Sequence, residues 1–518
     1  MKKLIVVFGG VTSGVGKGVV CASLGYLLCE NGINTAIVKY DGLLNYGFEQ
    51  MNPYHSLPDI KWTDEEVTVL GDGSVVDSDL GVYERFTGLK LTSENNIVNG
   101  QCLKELLTYQ DNGHWRTGEV LSVFPHLTDI YKDKLLKVII KNDVTVLEVG
   151  GTVGDFESEF FLRALNSLPI CIRMLSIQVS YLAYTNNLDI VVDEISQNVI
   201  LKPVKQSFYT ACSLGVSPQI LLLRSKDGVD NGIKGRLSRA IGLSEEKILF
   251  DYNVKNIYSV PKMLVTQGLF KLVSDYFGLQ IKPHVEYSLE NYVCKLHRVL
   301  LKKPYRVAII GDTESWGSYT SLQEAIMSIG VEYDTNIQYK WFKSKEDYYK
   351  LEKERGSFEA FIVTEGIENL VLKRKLLEMI IDYGKPILCI SYGACILAEI
   401  FGLKTECYAH LILGEMETEL VKYQSVKIIE RHRRNFSIPM MEYSNIDIIG
   451  CDKSCNEIHI FRHRKYSNCL GVVSQPEYVS RPNSPNELFA HILRIDCFKK
   501  LVDQIINNWL HLTKRLQM

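Results

Sequence analysis

The residues best equipped for chemistry open the chain. An apolar run, Leu4 to Phe8, leads into Gly9-Gly10-Val11-Thr12-Ser13-Gly14-Val15-Gly16-Lys17-Gly18, and an apolar-periodic stretch follows. Strand, glycine-rich loop and helix N-terminus together make an anion cradle. Glycines let backbone amides curl around phosphate oxygens, and the helix end adds partial positive charge. Lys17 would reach the outer phosphates, whereas a plain strand-to-helix turn would need no lysine there. The run is a loose phosphate loop, because its first glycine lies one place early and Gly18 replaces the usual Ser or Thr. With that hydroxyl gone, Mg²⁺ must find carboxylates elsewhere. Two acidic segments offer them: Asp72 to Phe86 (DGSVVDSDLGVYERF) and Glu148 to Ser158 (EVGGTVGDFES). A carboxylate at the C-terminal end of a parallel strand faces the crevice where such folds bind ligands.

Elements must hold these residues in place. Short β-branched runs alternate with longer amphipathic stretches, which predicts an α/β protein with parallel sheets. The clearest strands are Leu4–Phe8, Thr35–Lys39, Thr145–Val149, Gln219–Leu223, Arg306–Ile310, Ala360–Thr364 and Pro386–Ile390. Near-continuous apolar strands are expected where helices cover both sheet faces. A polar, helix-leaning stretch before Tyr305 separates two such regions. The simplest parse is a first domain over 1–266, a helical linker over 267–303 and a second α/β domain over 304–518.

Composition sets the outer bounds. At 518 residues the chain is too long for one core. With 46% hydrophobic and 23% charged residues, it is neither disordered nor fibrous. Its 58 Lys+Arg against 61 Asp+Glu argue against a nucleic-acid or membrane-surface binder, while leaving room for a local phosphate pocket. The apolar run at Leu4 ends too soon for a signal peptide, and no stretch is long enough to span a bilayer. The 13 cysteines include no CxxC pair. Cys451, Cys455, His459 and His463 have a zinc-like spacing, but EIHIF reads as a strand and nothing else there marks a metal site. The cysteines read as reduced thiols of a cytosolic, soluble protein.

The segments GGVTSGVGKG, KYD (Lys39 to Asp41), DSDLGVYERF, EVGGTVGDFES and Arg224-Ser225, in this order and spacing, resemble the synthetase domain of the CTP synthase family. The resemblance covers most of residues 1–265 and implies a P-loop-type parallel-sheet amidoligase. ATP would phosphorylate the 4-oxygen of UTP, and ammonia would then displace phosphate to give CTP. Carried over residue by residue, Lys17 and Lys39 would be catalytic, stabilising the transferring phosphoryl group, a task of positioning and charge neutralisation. Asp79 and Glu148 would hold Mg²⁺. ATP contacts would come from Ser13, Gly14, Val15, Gly16, Lys17, Gly18 and Val19, with Arg224 and Val254. Ser13, Asp155, Phe156, Glu157, Lys202, Lys205 and Arg236 would meet the pyrimidine nucleotide. A tetramer with nucleotide sites where subunits meet is implied as well.

This sequence departs from the family in the acceptor region. The lysine opening the family's triphosphate-gripping segment is Ile200 here, and its closing glutamine is Lys205. Another short family stretch aligns with Thr63-Asp64-Glu65-Glu66, and a family lysine with Arg236. The resemblance, with these departures, implies UTP or a related uridine nucleotide as acceptor.

The second domain resembles, more faintly, a class I glutamine amidotransferase. Such glutaminases need a cysteine on a strand-to-helix elbow, a histidine base and a glutamate to orient it. Here strand PILCI enters Ser391-Tyr392-Gly393-Ala394-Cys395, so Ser391 stands for the cysteine. Gln475-Pro476-Glu477 replaces histidine while keeping the glutamate. The oxyanion segment reads Thr364-Glu365-Gly366-Ile367-Glu368, with carboxylates where amides should meet a negative charge. Cys389 and Cys395 read as packing thiols, and Arg431-His432-Arg433-Arg434 as a retained ion-pair cluster. The domain is read as a pseudo-glutaminase, leaving free ammonia or another amine, supplied by a partner protein or from solution, as nitrogen donor. Two other readings stay open: a related amidoligase acting on a modified uridine nucleotide or with another amine, and a non-catalytic paralogue regulating a true CTP synthase.

Overall fold

The computed structural model describes residues 1–47, 67–112, 118–184, 199–225, 232–282, 287–311, 319–343, 345–364, 370–421, 426–495 and 498. By internal contacts the chain forms two compact units, Met1–Gly47 with Val82–Val293, and Phe48–Gly81 with Cys294–Met518.

The first unit is built on a seven-stranded, all-parallel sheet. Its strands are β1 (Lys2–Gly9), β2 (Thr35–Asp41), β3 (Asn96–Val98), β4 (Val144–Val149), β5 (Ile172–Tyr181), β6 (Ile220–Ser225) and β7 (Ile248–Tyr252), ordered β7-β6-β5-β1-β4-β2-β3. From β1 the chain moves to β2 on one side, and β5 continues on the other, so the order reverses beside β1 and β4. That reversal opens a crevice beyond the carboxyl ends of these strands. Leu4, Ile5, Val6 and Val7 are each fully buried, as strands covered on both faces require. Around this sheet lie α1 (Lys17–Glu30), α2 (Ser78–Thr87), α3 (Phe156–Leu165), α4 (Lys202–Ser213) and α5 (Gly232–Ile241). Tyr40 of β2 stacks on Phe161 of α3 with ring centroids 3.8 Å apart, and Tyr131 meets both rings edge-on. These aromatics lock β2 against α3 below the crevice. No helix among the described residues is long and apolar enough to cross a membrane.

The second unit carries a nine-stranded mixed sheet. β8 (Tyr305–Ile310), β9 (Ile337–Phe342), β10 (Ala360–Val363), β11 (Ile387–Ile390) and β16 (Cys469–Val472) pair in parallel; β12 (Glu406–Leu420), β13 (Lys427–Ser437), β14 (Ile446–Asp452) and β15 (Ile458–His463) add an antiparallel half. Parallel sheets were expected throughout, and this half is the exception. Its strands carry charged residues inside the fold, since Glu430, Arg431, His432, Arg433 and Arg434 follow one another on β13 and all are buried. A short hairpin, Val67–Val69 with Val75–Asp77, belongs to this unit; the Glu415 amide donates to the Gly71 carbonyl at 3.0 Å. α6 (Tyr392–Ile400) follows β11 directly.

One buried carboxyl ties this unit's stability to pH. Glu430 is 2% exposed, and the Asn486 side-chain amide donates to both of its oxygens at 3.0 and 3.3 Å. Burial pushes its pKa up to about 7, outweighing the hydrogen bonds from Asn486 and Ser474. The folded chain therefore binds a proton more tightly here than the unfolded chain does. Its contribution is fully present below the ordinary carboxyl range and is lost as pH rises toward 7. A difference of that size corresponds to about 3 kcal/mol. Glu430→Gln should remove that loss, so its melting temperature should gain on wild type between pH 5 and pH 7.5. A parallel pair of melting curves across that range would show that Glu430 is ionised at little cost.

Candidate active site

Three loops meet at the crevice of the first unit. The first joins β1 to α1. Gly14 and Gly16 take φ of 67° and 89°, values that side-chain-bearing residues rarely adopt. A Cβ on Gly16 would also lie 2.4 Å from an Arg224 guanidinium nitrogen, and one on Gly10 would lie 2.6 Å from Ser180 Oγ. The positive φ at Gly14 and Gly16 and the close approach of Ser180 and Arg224 favour a bare backbone here, so this loop can present its amides at close range. Lys17 is the first residue of α1 rather than a loop residue, and it is buried. Its Nζ donates to the Gly151 carbonyl at 2.9 Å, which turns the ammonium toward the loop after β4. The Val153 amide donates to the Gly10 carbonyl at 3.1 Å and stitches the two loops together.

The other charges follow from strand register. β4 lies between β1 and β2, so Glu148 pairs with Val7 on one side and Lys39 on the other. Lys39 and Glu148 are thus neighbours at the carboxyl edge, both buried. Lys39 Nζ also lies 3.6 Å from Asp41 Oδ1. Tyr83 of α2 donates its hydroxyl to Glu148 Oε2. Glu148 is therefore packed more deeply than a free strand-end carboxylate would be. Asp79 stands on the first turn of the same helix and falls with the second unit.

Arg224, at the end of β6, closes the third side. It pairs with buried Asp251 at 3.1 Å, and burial pushes the Asp251 pKa up against the pull of that arginine. Ser13 is exposed on the glycine loop, beside Gly18 and Val19 at the start of α1, and Val254 is half-buried just past β7. Glycines at positive φ, two buried lysines, Arg224 and a buried carboxylate fit a nucleoside triphosphate with a divalent cation.

The expected acceptor residues are more dispersed. Asp155 stands just before α3, and its Oδ2 accepts from the Thr152 amide at 2.9 Å rather than capping the helix. Phe156 is exposed, and its ring meets Phe160 edge-on at 4.8 Å. Lys202 and Lys205 lie on the first turn of α4 beside exposed Ile200, and Arg236 is exposed on α5. The Glu157 side chain, the Thr63–Glu66 segment and residues 365–368 lie outside the described residues.

In the second unit, Ser391 sits between β11 and α6 with φ 51° and ψ −116°. A non-glycine residue held at such angles stores roughly 1–3 kcal/mol of strain. The strand-to-helix elbow read from the sequence is therefore present, with a serine at its tip. Ser391 is fully buried, and Gln475 Nε2 donates to its Oγ at 3.0 Å. The same amide nitrogen donates to the Arg433 carbonyl at 2.7 Å, while Gln475 Oε1 accepts from the Arg433 amide at 2.6 Å. The glutamine is thus clamped with a donor toward the hydroxyl. Glu477 is buried two residues on. Cys389 and Cys395 are buried, and burial pushes both thiols up, Cys395 to about 12. Both are packing thiols.

The arginine cluster only partly forms ion pairs. Arg434 meets Glu457 at 2.7 Å and Arg431 lies 3.6 Å from Glu415. The fully buried Arg433 has three guanidinium nitrogens without hydrogen-bond partners. The zinc-like spacing does not gather a site: His459 Nδ1 lies 2.7 Å from Thr418 Oγ1, its ring meets His432, and no metal-binding group of three or more ligands occurs among the described residues.

Close backbone contact at the elbow gives a prediction. A Cβ on Gly393 would lie 2.3 Å from the Val363 carbonyl oxygen. Backbone cannot swing aside as a side chain does, so Gly393→Ala should cost about 1–3 kcal/mol. Chemical denaturation should show that loss in the second unit's transition; an unchanged midpoint would mean the β10–α6 packing is looser.

Sequence reading missed Tyr83, Asp251 and the Gln475 clamp. Tyr83 had a signal, since it lies one helical turn after Asp79 and so shares its face. Asp251 and the clamp join distant segments and left none.

Comparison with known proteins matches two stretches of the chain. Residues 3–279 match the family described as CTP synthase N-terminus, and residues 317–495 match glutamine amidotransferase class-I. A CTP synthase of Streptococcus pyogenes serotype M28 is 31% identical over 542 aligned positions, covering 94% of this chain and 98% of that one. A CTP synthase of Hydrogenobaculum is 30% identical over 80% of this chain and 73% of its own. For a CTP synthase of Pyrococcus abyssi the identity is 32%, over 67% of this chain and only 62% of that protein's length. With the N-terminal match spanning more than half of the sequence and the Streptococcus relative aligned nearly end to end, the chain belongs to the CTP synthase family.

Proposed function

We propose that this chain is an ATP- and Mg²⁺-dependent C–N ligase that converts UTP to CTP with free ammonia, its own glutaminase half being inactive. The observation that carries the ligase reading is the convergence at one crevice edge of Lys17, the adjacent pair Lys39 and Glu148, and the bare-backbone loop beneath Arg224. When bound, ATP supplies the phosphoryl group that makes the 4-oxygen a good leaving group, and Mg²⁺ offsets phosphate charge. Lys17 exchanges the Gly151 carbonyl for phosphate oxygen, and Lys39 neutralises charge from the neighbouring strand. Glu148, oriented by Tyr83, is the carboxylate assigned to the metal; the share of Asp79 rests on its place in the sequence.

The inactive-glutaminase reading is supported by the Gln475 clamp. An amide N–H cannot take the proton of Ser391, and the carbonyl of that amide is already held by the Arg433 amide. The nitrogen is therefore assigned to ammonia, free or passed on by a partner protein. Cytoplasmic location and a homotetramer belong to the same reading. A related uridine nucleotide as acceptor is favoured by one feature, apolar Ile200 exposed just before Lys202.

Purified protein given ATP, Mg²⁺, an ammonium salt and either UTP or a sugar-linked uridine nucleotide should yield an aminated product on chromatography. UTP alone reacting supports the first reading, and the sugar-linked nucleotide alone reacting supports the second. ATP binding without product from either would favour the regulatory paralogue.

A further inference from the structure

The turn between β14 and β15 brings two thiols together. Cys451, near the end of β14, is buried, and its Sγ lies 3.1 Å from that of Cys455, which is exposed on the turn. The backbone holds them there. Asp452 Oδ1 accepts from the amides of Asn456 at 2.6 Å and Glu457 at 2.7 Å, and Oδ2 accepts from Ser454 at 3.1 Å. The Cys455 amide donates to the Asp452 carbonyl at 2.9 Å, and Cys455 itself takes φ of 53°. The sulfurs are set in near contact by the turn, with one reachable and one shielded.

We propose that Cys451 and Cys455 form a redox-active dithiol whose oxidant is a small disulfide of the glutathione class. The exposed thiol, as thiolate, attacks one sulfur of that disulfide and expels a thiolate, leaving a mixed disulfide on Cys455. The departing thiolate takes the proton of Cys451. Cys451 then attacks the Cys455 sulfur and expels the second small thiolate. Two thiol protons leave the protein, two electrons reduce the oxidant to two thiols, and one sulfur–sulfur bond forms. Burial and the neighbouring thiol hold Cys451 protonated, with its pKa up at about 12, so Cys455 is the attacking partner. Glu457 connects the turn to the interior: its amide binds Asp452 and its carboxylate pairs with Arg434, whose Nε donates to His432 Nδ1 at 3.1 Å. The dithiol is therefore linked through one ion pair to strand β13, which holds Gln475.

The full-length chain can be equilibrated with graded ratios of reduced to oxidised glutathione, quenched by alkylation and digested so that both cysteines stay on one peptide. The expected result is a peptide that has lost two hydrogens, restored by dithiothreitol. In Cys455→Ser, an exposed position whose change should leave the fold intact, Cys451 should stay unmodified. Alkylation of both thiols at every ratio, or a mixed disulfide that persists on Cys455, would overturn the proposal. Phenylarsine oxide, which bridges paired thiols, gives a second readout. Wild type should retain the arsenical on the 451–455 peptide, and Cys455→Ser should not. Absence of the arsenical from that peptide in wild type would also overturn it.

Discussion

Lys17→Ala should abolish ATP turnover while leaving the fold in place. Lys17 is buried, yet among the described residues its ammonium donates to the Gly151 carbonyl alone, and the helix it opens is held by apolar residues such as Val20, Leu24 and Leu27. Removing a positive charge aimed at a transferring phosphoryl group costs about 10²–10³-fold in rate, the size seen when one preorganised donor is lost. Uncovering the Gly151 carbonyl will cost some stability, so the melting temperature should be read beside the rate. A rate loss with near-normal melting fits the assignment. Near-normal turnover would move the active site elsewhere. Glu148→Gln, which keeps the hydrogen bond from Tyr83, should show the same division between rate and stability.

Ser391→Cys alone should produce no glutamine hydrolysis. In proteins that act through a nucleophile and a base, losing either one costs about 10⁶-fold, and restoring one without the other recovers little. Gln475 faces position 391 with an N–H, so a thiol placed there meets a donor instead of a base. The position is fully buried, and burial already pushes the thiol of Cys395, four residues along, up to about 12. A thiol at 391 should therefore stay protonated. Glutamate release should remain at background for wild type and Ser391→Cys alike. Glutamate release by wild type that vanishes in Ser391→Ala would show that the serine works by another route.

The sequence made those parallel strands legible that read as unbroken apolar runs, as in Leu4 to Phe8 and Ile387 to Ile390, while β5 (Ile172–Tyr181) and β9 (Ile337–Phe342), with polar residues inside them, were not read. The antiparallel half was not legible. β12 runs through ECYAHLILGEMETEL, where exposed and half-buried positions carry enough charge to hide the strand among loops. Site residues carried by a local pattern, such as the glycine loop with Lys17 or the elbow with Ser391, were found from that pattern. Partners set by pairing across the chain were not. Gln475 meets Arg433 across 42 positions and Ser391 across 84, and Tyr83 meets Glu148 across 65. Such contacts are fixed by strand order, which residue spacing along the chain does not encode. The same holds for Cys451 and Cys455. Their spacing resembles a zinc knuckle, while the turn sends His459 into a buried contact with Thr418 and leaves the thiols facing each other.

The central claim is a working ligase without its own glutaminase, and a comparison of nitrogen donors tests it most directly. The purified chain, with ATP, Mg²⁺ and UTP, should form CTP when given an ammonium salt and none when given glutamine in its place. CTP formed from glutamine with release of glutamate would contradict the account.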